Sequence, residues 1–355
     1  MGGFLTTVVA GVIVAAVGAI VAYYLGGVRE RQKRAYESQK EEKKRHEEEK
    51  KEAQRRQEEA QAEAQRRQAE LNERLPKAIE QLEATDDKGE KKLAIRLGGI
   101  HALERIDKES PERAYHGAIM EVLTAYVRQN AKWSPPELPD DRFTSDLDAV
   151  LEAIPDADIQ AILNVFGRRD EDRVPEKHRV GLDLRNTALF RADLEGANFE
   201  GANFGGADLR GAFLFRATLL GANFLEADLR GAHFREADLR EADLRGADLR
   251  DARFQDADLQ GADFGGADLR GSVLRRATFL GANFLEANFG EADLRGAYLQ
   301  DADLRGAIDL TQPQIEDALG NKDTRVPENL HEPATWSRSS EEQWAILTKR
   351  FTGGE

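Results

Sequence analysis

Apolar and polar residues alternate in four different rhythms along these 355 residues, and each rhythm predicts a different element. Phe4 to Leu25 carries no charge over 22 residues, and a helix of that length reaches ~30 Å, the thickness of bilayer hydrocarbon. Tyr23 and Tyr24 lie near its end, Arg29, Arg31, Lys33 and Arg34 follow at once, and no basic residue precedes it. That asymmetry places the following chain on the cytoplasmic side. Residues 1–28 are therefore expected to be a transmembrane anchor, making this a single-pass cell-membrane protein with its bulk in the cytoplasm and the membrane as a partner. A cleaved signal peptide fits less well, because the basic n-region is missing and the apolar stretch exceeds ~15 residues.

The second rhythm is nearly all polar. From Arg29 to Leu75 there is no Gly or Pro, and 15 Lys or Arg interleave with 13 Asp or Glu. Strong helix formers with alternating signs predict one charged helical stalk over 29–75. Its only seam candidates are alanines such as Ala53, Ala60 and Ala64, with Leu71. Small a and d residues make a weak coiled coil, so the favoured reading is a single-helix spacer of up to ~70 Å, with a dimer allowed through the stalk.

Spacings of three and four return after Pro76, which is expected to end the stalk. Leu93, Leu97, Ile100 and Leu103, then Ile119, Val122, Leu123 and Tyr126, then Ile159, Ile162, Leu163 and Phe166 trace amphipathic helices. Ser110-Pro111 resembles a helix start. Trp133-Ser134-Pro135-Pro136 closes one helix, and a further segment carries Leu147, Val150 and Leu151. Residues 76–180 are expected to be a small α-helical domain. His101 and His116 lie within its helices and are read as structural.

The fourth rhythm has period five. Leu or Phe stands at every fifth position from Leu184 to Leu304, 25 units without an insertion. Two residues before the centre, from position 192 to 302, alanine occurs in 22 of 23 units, Ser272 being the exception. An α-helix would spread such residues ~140° apart and give them no common face. A solenoid gives them one interior. Gly201 to Leu229 also matches Gly261 to Phe289 at 22 of 29 positions. That offset of 60 is three whole coils if a coil holds four units.

These A-[DN]-[LF]-x-x words, such as Ala207-Asp208-Leu209-Arg210-Gly211, resemble the pentapeptide-repeat family. With the N-terminal segments and the V-P-x-x-L…P-A-x-W tail, the chain resembles its bacterial, membrane-anchored type. The resemblance implies a β-solenoid: a right-handed, quadrilateral, parallel β-helix over 181–310, about six coils and ~30 Å tall at ladder spacing. Stacking at i,i+20 would then bring Phe204 under Phe224, Phe234 under Phe254 and Phe264 under Phe284. Thr311-Gln312-Pro313-Gln314 reads as a capping box opening a short helix, so 311–355 is expected to be a C-terminal capping helix and tail, with a dimer through the C-terminus also allowed.

Composition narrows the chemistry. The chain has no cysteine and six scattered histidines, His46, His101, His116, His178, His233 and His331, which excludes disulfides and thiolate sites and leaves no metal spacing. No catalytic, cofactor-binding or metal-binding residue is singled out, no cofactor is expected, and the chain is expected not to be an enzyme. A net charge of −15 argues against nucleic-acid binding. Over residues 181–310, 23 acids face 15 arginines and no lysine. The expected function is a membrane-tethered, non-enzymatic scaffold presenting its repeat surface to a protein partner. The alternative, prompted by the family resemblance and the acidic surface, is DNA mimicry towards a topoisomerase or another DNA-binding enzyme.

Overall fold

The computed structural model describes residues 2–132, 155–169, 174 and 180–352, and the chain divides into two compact units, Met1–Glu70 and Leu71–Glu355. Trp133 to Pro136, the segment of Leu147 to Leu151, and His178 lie outside the described residues.

The first unit is helix from Gly2 onward, part of α1 (Gly2–Leu82). Residues 14–67 are exposed on every side, so the helix rests on local terms: good propensity and i,i+4 pairs such as Arg56 with Glu52 and Arg67 with Glu63, each at 2.6 Å. The expected anchor is corrected here, and with it the single-pass location, the membrane as partner and the membrane-anchored character of the resemblance. Among the described residues no helix is long and apolar enough to cross a membrane.

Pro76 does not end the helix but lies within it. A proline there costs ~3 kcal/mol, and packing on both sides outweighs it: Leu71, Ala78 and Leu82 are buried. Gly99 allows the close approach of α2 (Leu93–Glu109), since a Cβ there would lie 2.8 Å from the Ala78 carbonyl oxygen. α3 (His116–Asn130) and α4 (Ala157–Gly167) complete this layer. Two buried polar clusters fix it. Arg96 donates to the Ala84 carbonyl at 3.0 Å and pairs with Asp158 at 3.4 Å, while the Tyr126 hydroxyl donates to Asp158. Asp107 takes His116 at 3.1 Å and Arg113.

From residue 183 the backbone winds into coils of 20. Parallel bridges join Asp183 to Asn203, Asp208 to Asp228, and so on to Asn288 with Ile308, always i to i+20. The second correction to the expected fold concerns how the coil walls are made: each is a single bridge rather than a continuous strand, because a turn interrupts every unit. Leu209, Arg210, Gly211 and Ala212 form such a turn, Ala212 N–H donating to Leu209 O at 3.0 Å with Gly211 at φ +61°. The same left-handed position recurs every fifth residue, and Glu226, Glu236 and Asp251 adopt it although they are not glycine. The centres and alanines point inward and are buried. The expected phenylalanine stacks are present: Phe204 on Phe224 at 5.1 Å, Phe234 on Phe254 at 4.7 Å and Phe264 on Phe284 at 4.8 Å.

Each coil donates both ways. Asp208 N–H reaches Thr187 O in the coil before, and Leu209 N–H reaches Asp228 O in the coil after. The first coil has no coil before it, and the helical layer supplies the acceptors instead. Ala188 N–H finds Ala131 O, Asp193 N–H the Gln160 side chain at 3.1 Å, and Asn198 N–H finds Gly167 O at 3.0 Å. The other end is closed by the chain itself. After α5 (Gln312–Glu316), shorter than the expected capping helix, the backbone returns to the ladder: Leu299 N–H donates to Leu319 O at 2.7 Å and Leu304 N–H to Arg325 O at 2.8 Å. Gln314 donates to both Phe289 O and Ala292 O, and α6 (Ser340–Thr352) brings Gln343 to hold both backbone groups of Gly320. Among the described residues, these edge groups at both ends are bonded within the chain rather than left open for pairing with other chains.

Candidate functional site

Because the large side chains are spent on the interior, the surface of the column is written by three residues per unit: the one before the centre and the two after it. The residue before the centre is most often Asp or Asn, and its carboxylate or amide oxygen accepts the N–H two residues on, as Asp208 does from Arg210 at 3.1 Å. When that later residue is arginine, its guanidinium folds back and donates twice to the same carboxylate. Arg210 reaches Asp208 with Nε and Nη2, each at 2.8 Å, the bidentate geometry that makes such pairs strong. The guanidinium also approaches the next coil: Arg210 Nε lies 3.6 Å from Asp228, Arg230 Nε 3.5 Å from Asp248 and Arg250 Nε 3.7 Å from Asp268. Asp208, Asp228, Asp248 and Asp268 with their arginines thus form one neutralised ladder up a face.

The electrostatics follow from this geometry. Hydrogen bonds from Arg240 and Arg245 hold Asp238 and Asp243 below the ordinary carboxylate range against the opposing effect of burial. Arg305, joined by Arg325, takes Asp303 down to about 2. For Asp268 burial pushes upward most strongly, and the Arg270 hydrogen bonds together overcome it. These carboxylates are fixed anions at neutral pH, each facing a fixed cation.

One face departs from the pattern. Where its neighbours carry Asp, Asn or Thr, the face that begins at Asp193 continues with Phe213, His233, Arg253 and Val273, bridged in succession. The Phe213 and His233 rings lie 5.2 Å apart and Arg216 covers the Phe215 ring at 4.6 Å. Burial, then the nearby Arg253 charge, lowers the His233 pKa, which keeps its imidazole neutral at pH 7. Sequence reading passed this face over because period-five counting tracks the buried centres; the signal available was the four successive non-Asp residues at i,i+20.

Among the described residues no group of three or more His, Cys, Asp or Glu could hold a metal ion. His116 is buried beside Asp107 and Arg113, and His101 stands 3.8 Å from Glu104. Tyr126 is pushed up by burial and by Asp158, so its hydroxyl stays protonated as a donor. Asp107 with His116 and Asp158 with Tyr126 tie helices together, while His101 and Glu104 share α2.

The comparisons with known proteins fall on the column. Two family models match it: one described as a pentapeptide repeat region, over residues 187–264 and 212–284, and one described as pentapeptide repeats in eight copies, over 272–308. No curated protein matches the chain. Similar solved structures include QnrB1, a plasmid-mediated fluoroquinolone resistance protein, at 21% identity over 48% of this chain and 88% of that one, with a TM-score of 0.28. Rfr23 of the cyanobacterium Cyanothece 51142 is 27% identical over 37% of this chain and 65% of its own, TM-score 0.19. HetL of Nostoc sp. strain PCC 7120, involved in heterocyst differentiation regulation, is 28% identical over 44% and 84%, TM-score 0.18. With its period of five, its 20-residue coils and both family models falling within those coils, the C-terminal region of this chain is a pentapeptide-repeat region.

Proposed function

We propose that the chain is a non-enzymatic interaction scaffold whose pentapeptide-repeat column offers a preformed surface to a protein partner. The observation that carries this reading is the fixed outer lattice: the units set their surface residues on a backbone tied to neighbouring coils, and where Asp is followed two residues on by Arg a bidentate pair holds the side chains, as in Asp208 and Arg210. A surface ordered before binding loses little entropy when it docks. Pentapeptide-repeat regions act as structural or interaction modules, and that the chain catalyses nothing is part of the proposal. Covalent capture from cells, comparing the full chain with one lacking residues 181–310, tests it. Loss of most captured partners supports the scaffold, and an unchanged set refutes it.

DNA mimicry towards a topoisomerase receives less support. A mimic needs a run of unneutralised anions, whereas the most regular face here pairs Asp208, Asp228, Asp248 and Asp268 with arginines. A supercoiling assay that stays unaltered at micromolar protein removes that reading, and inhibition at that concentration would favour it over the scaffold.

A further inference from the structure

The face of Phe213, His233, Arg253 and Val273 differs from the other three in charge as well as in residue type. Over the four coils from 213 to 276 it carries five arginines against two acids, Glu236 and Asp256. The ladder face has four arginines against five acids over the corresponding coils, and each remaining face has one against three. On a chain of net charge −15 this is a local basic surface. Its acids are shared out: Glu236 serves both Arg216 at 2.7 Å and Arg235 at 3.4 Å, and Asp256 pairs with Arg276 at 2.9 Å. Arg253, in the middle, is exposed and makes no ion pair among the described residues. Two coils below it Phe213 is 37% exposed, unusual for an aromatic on this surface.

We propose that this face is the docking site, and that its occupant is an acidic protein segment that sets an apolar side chain on Phe213 and a carboxylate on Arg253. The inference rests on the scaffold reading and names the partner chemistry for it. Charge complementarity selects the occupant, because an acid is what a cation without an ion-pair partner lacks. The spacing is set by the coils. Phe213 and Arg253 are two coil steps, ~10 Å, apart, which an extended segment covers in three residues. The recognised word is therefore an apolar residue with Asp or Glu three positions away. A nucleic-acid strand is disfavoured, since it would need several unpaired cations in a row and would run onto the acid-bearing neighbours.

The test pans a random 12-residue peptide library on the full chain and measures the enriched peptides by fluorescence anisotropy. Enriched peptides should be acidic with that spacing. Phe213→Asn and Arg253→Asp should each weaken binding at least tenfold, while Arg245→Gln on a neighbouring face should change it less than twofold. Asn and Asp are the repeat's own residues at this position, as in Asn223 and Asp258, so the coils keep their register, which an unchanged circular dichroism melt verifies. No enrichment, enrichment of neutral or basic peptides, affinity indifferent to Arg253→Asp, or tighter binding of a 12-nucleotide dT strand would each overturn the proposal. If captured partners still depend on residues 181–310 while this test fails, the scaffold stands and only the assigned face falls.

Discussion

Phe284 is the most connected ring in the column. It stacks on Phe264 at 4.8 Å and meets Phe279 and Phe289, each at 5.2 Å. Phe289, equally buried, has a ring contact only with Phe284 among the described residues. Truncating a buried phenylalanine to alanine costs ~3 to 5 kcal/mol through lost transfer energy and the cavity left behind. Each ring pair adds ~0.5 to 1.5 kcal/mol beyond area burial. Phe284→Ala should therefore cost ~1 to 3 kcal/mol more than Phe289→Ala, for the two additional pairs. Trp336 is buried in the C-terminal cap and Trp344 stacks on Tyr298 at 6.4 Å, so tryptophan fluorescence during urea unfolding reports on the neighbouring coils. Phe284→Leu should recover much of the apolar term and leave chiefly the ring-pair deficit. If Phe284→Ala costs no more than Phe289→Ala, or if leucine is as damaging as alanine, aromatic stacking does not strengthen the column.

Four further outcomes follow from particular contacts. Ser272 replaces the usual alanine, is buried, and its hydroxyl has no hydrogen-bond partner among the described residues; Ser272→Ala should stabilise the chain by ~1 kcal/mol in thermal or urea melts. Gly320→Ala would place a Cβ 2.4 Å from the Trp336 ring, so the cap should loosen and its tryptophan emission should shift before the column melts. Gly167→Ala would place a Cβ 2.6 Å from that of Ala197; overpacking costs ~1 to 3 kcal/mol, and hydrogen exchange at Asn198 should rise as α4 moves off the first coil. Asp238, Asp243 and Asp303 are held below their ordinary values by arginine. Their stabilising contribution is complete above the unfolded carboxylate value near 4 and lost as pH falls through the lower folded values, about 2 for Asp303, so melts should be flat from pH 7 to 5 and decline from ~4 to 2.

How far the sequence could be read depended on whether local rules or tertiary contacts decide each element. The column was legible because its rule is local and repeated: Leu, Phe and Ala at fixed positions leave one interior, and the family resemblance implied the four-unit coil, consistent with the 60-residue self-match, that the i,i+20 bridges display. Three features were not legible. Pro76 stays within a helix because Leu71, Ala78 and Leu82 are buried on both sides of it, and those contacts come from residues far along the chain. The role of Ala131, Gln160 and Gly167 as acceptors for the first coil needs the fold to be known. The anchor expectation rested on an apolar stretch with tyrosines and a basic cluster at its end, and it is not sustained by the described residues. Of the candidate surface, the Asp and Arg pairing was visible in the motif, while the Phe213 and Arg253 face appears only once residues 20 apart are laid side by side.

The central claim is that four units make one coil, so that residue i lies over residue i+20 and each face is a column of such residues. The natural absence of cysteine makes this directly measurable. Asp258 and Thr278 are bridged neighbours on successive coils, and disulfides need Cα atoms ~4.4 to 6.8 Å apart. The paired substitution Asp258→Cys with Thr278→Cys should oxidise readily to an intramolecular disulfide, whereas Asp258→Cys with Val273→Cys, 15 apart and on different faces, should not. Efficient cross-linking of the second pair, or failure of the first in a folded chain, would contradict the coil and every face built on it.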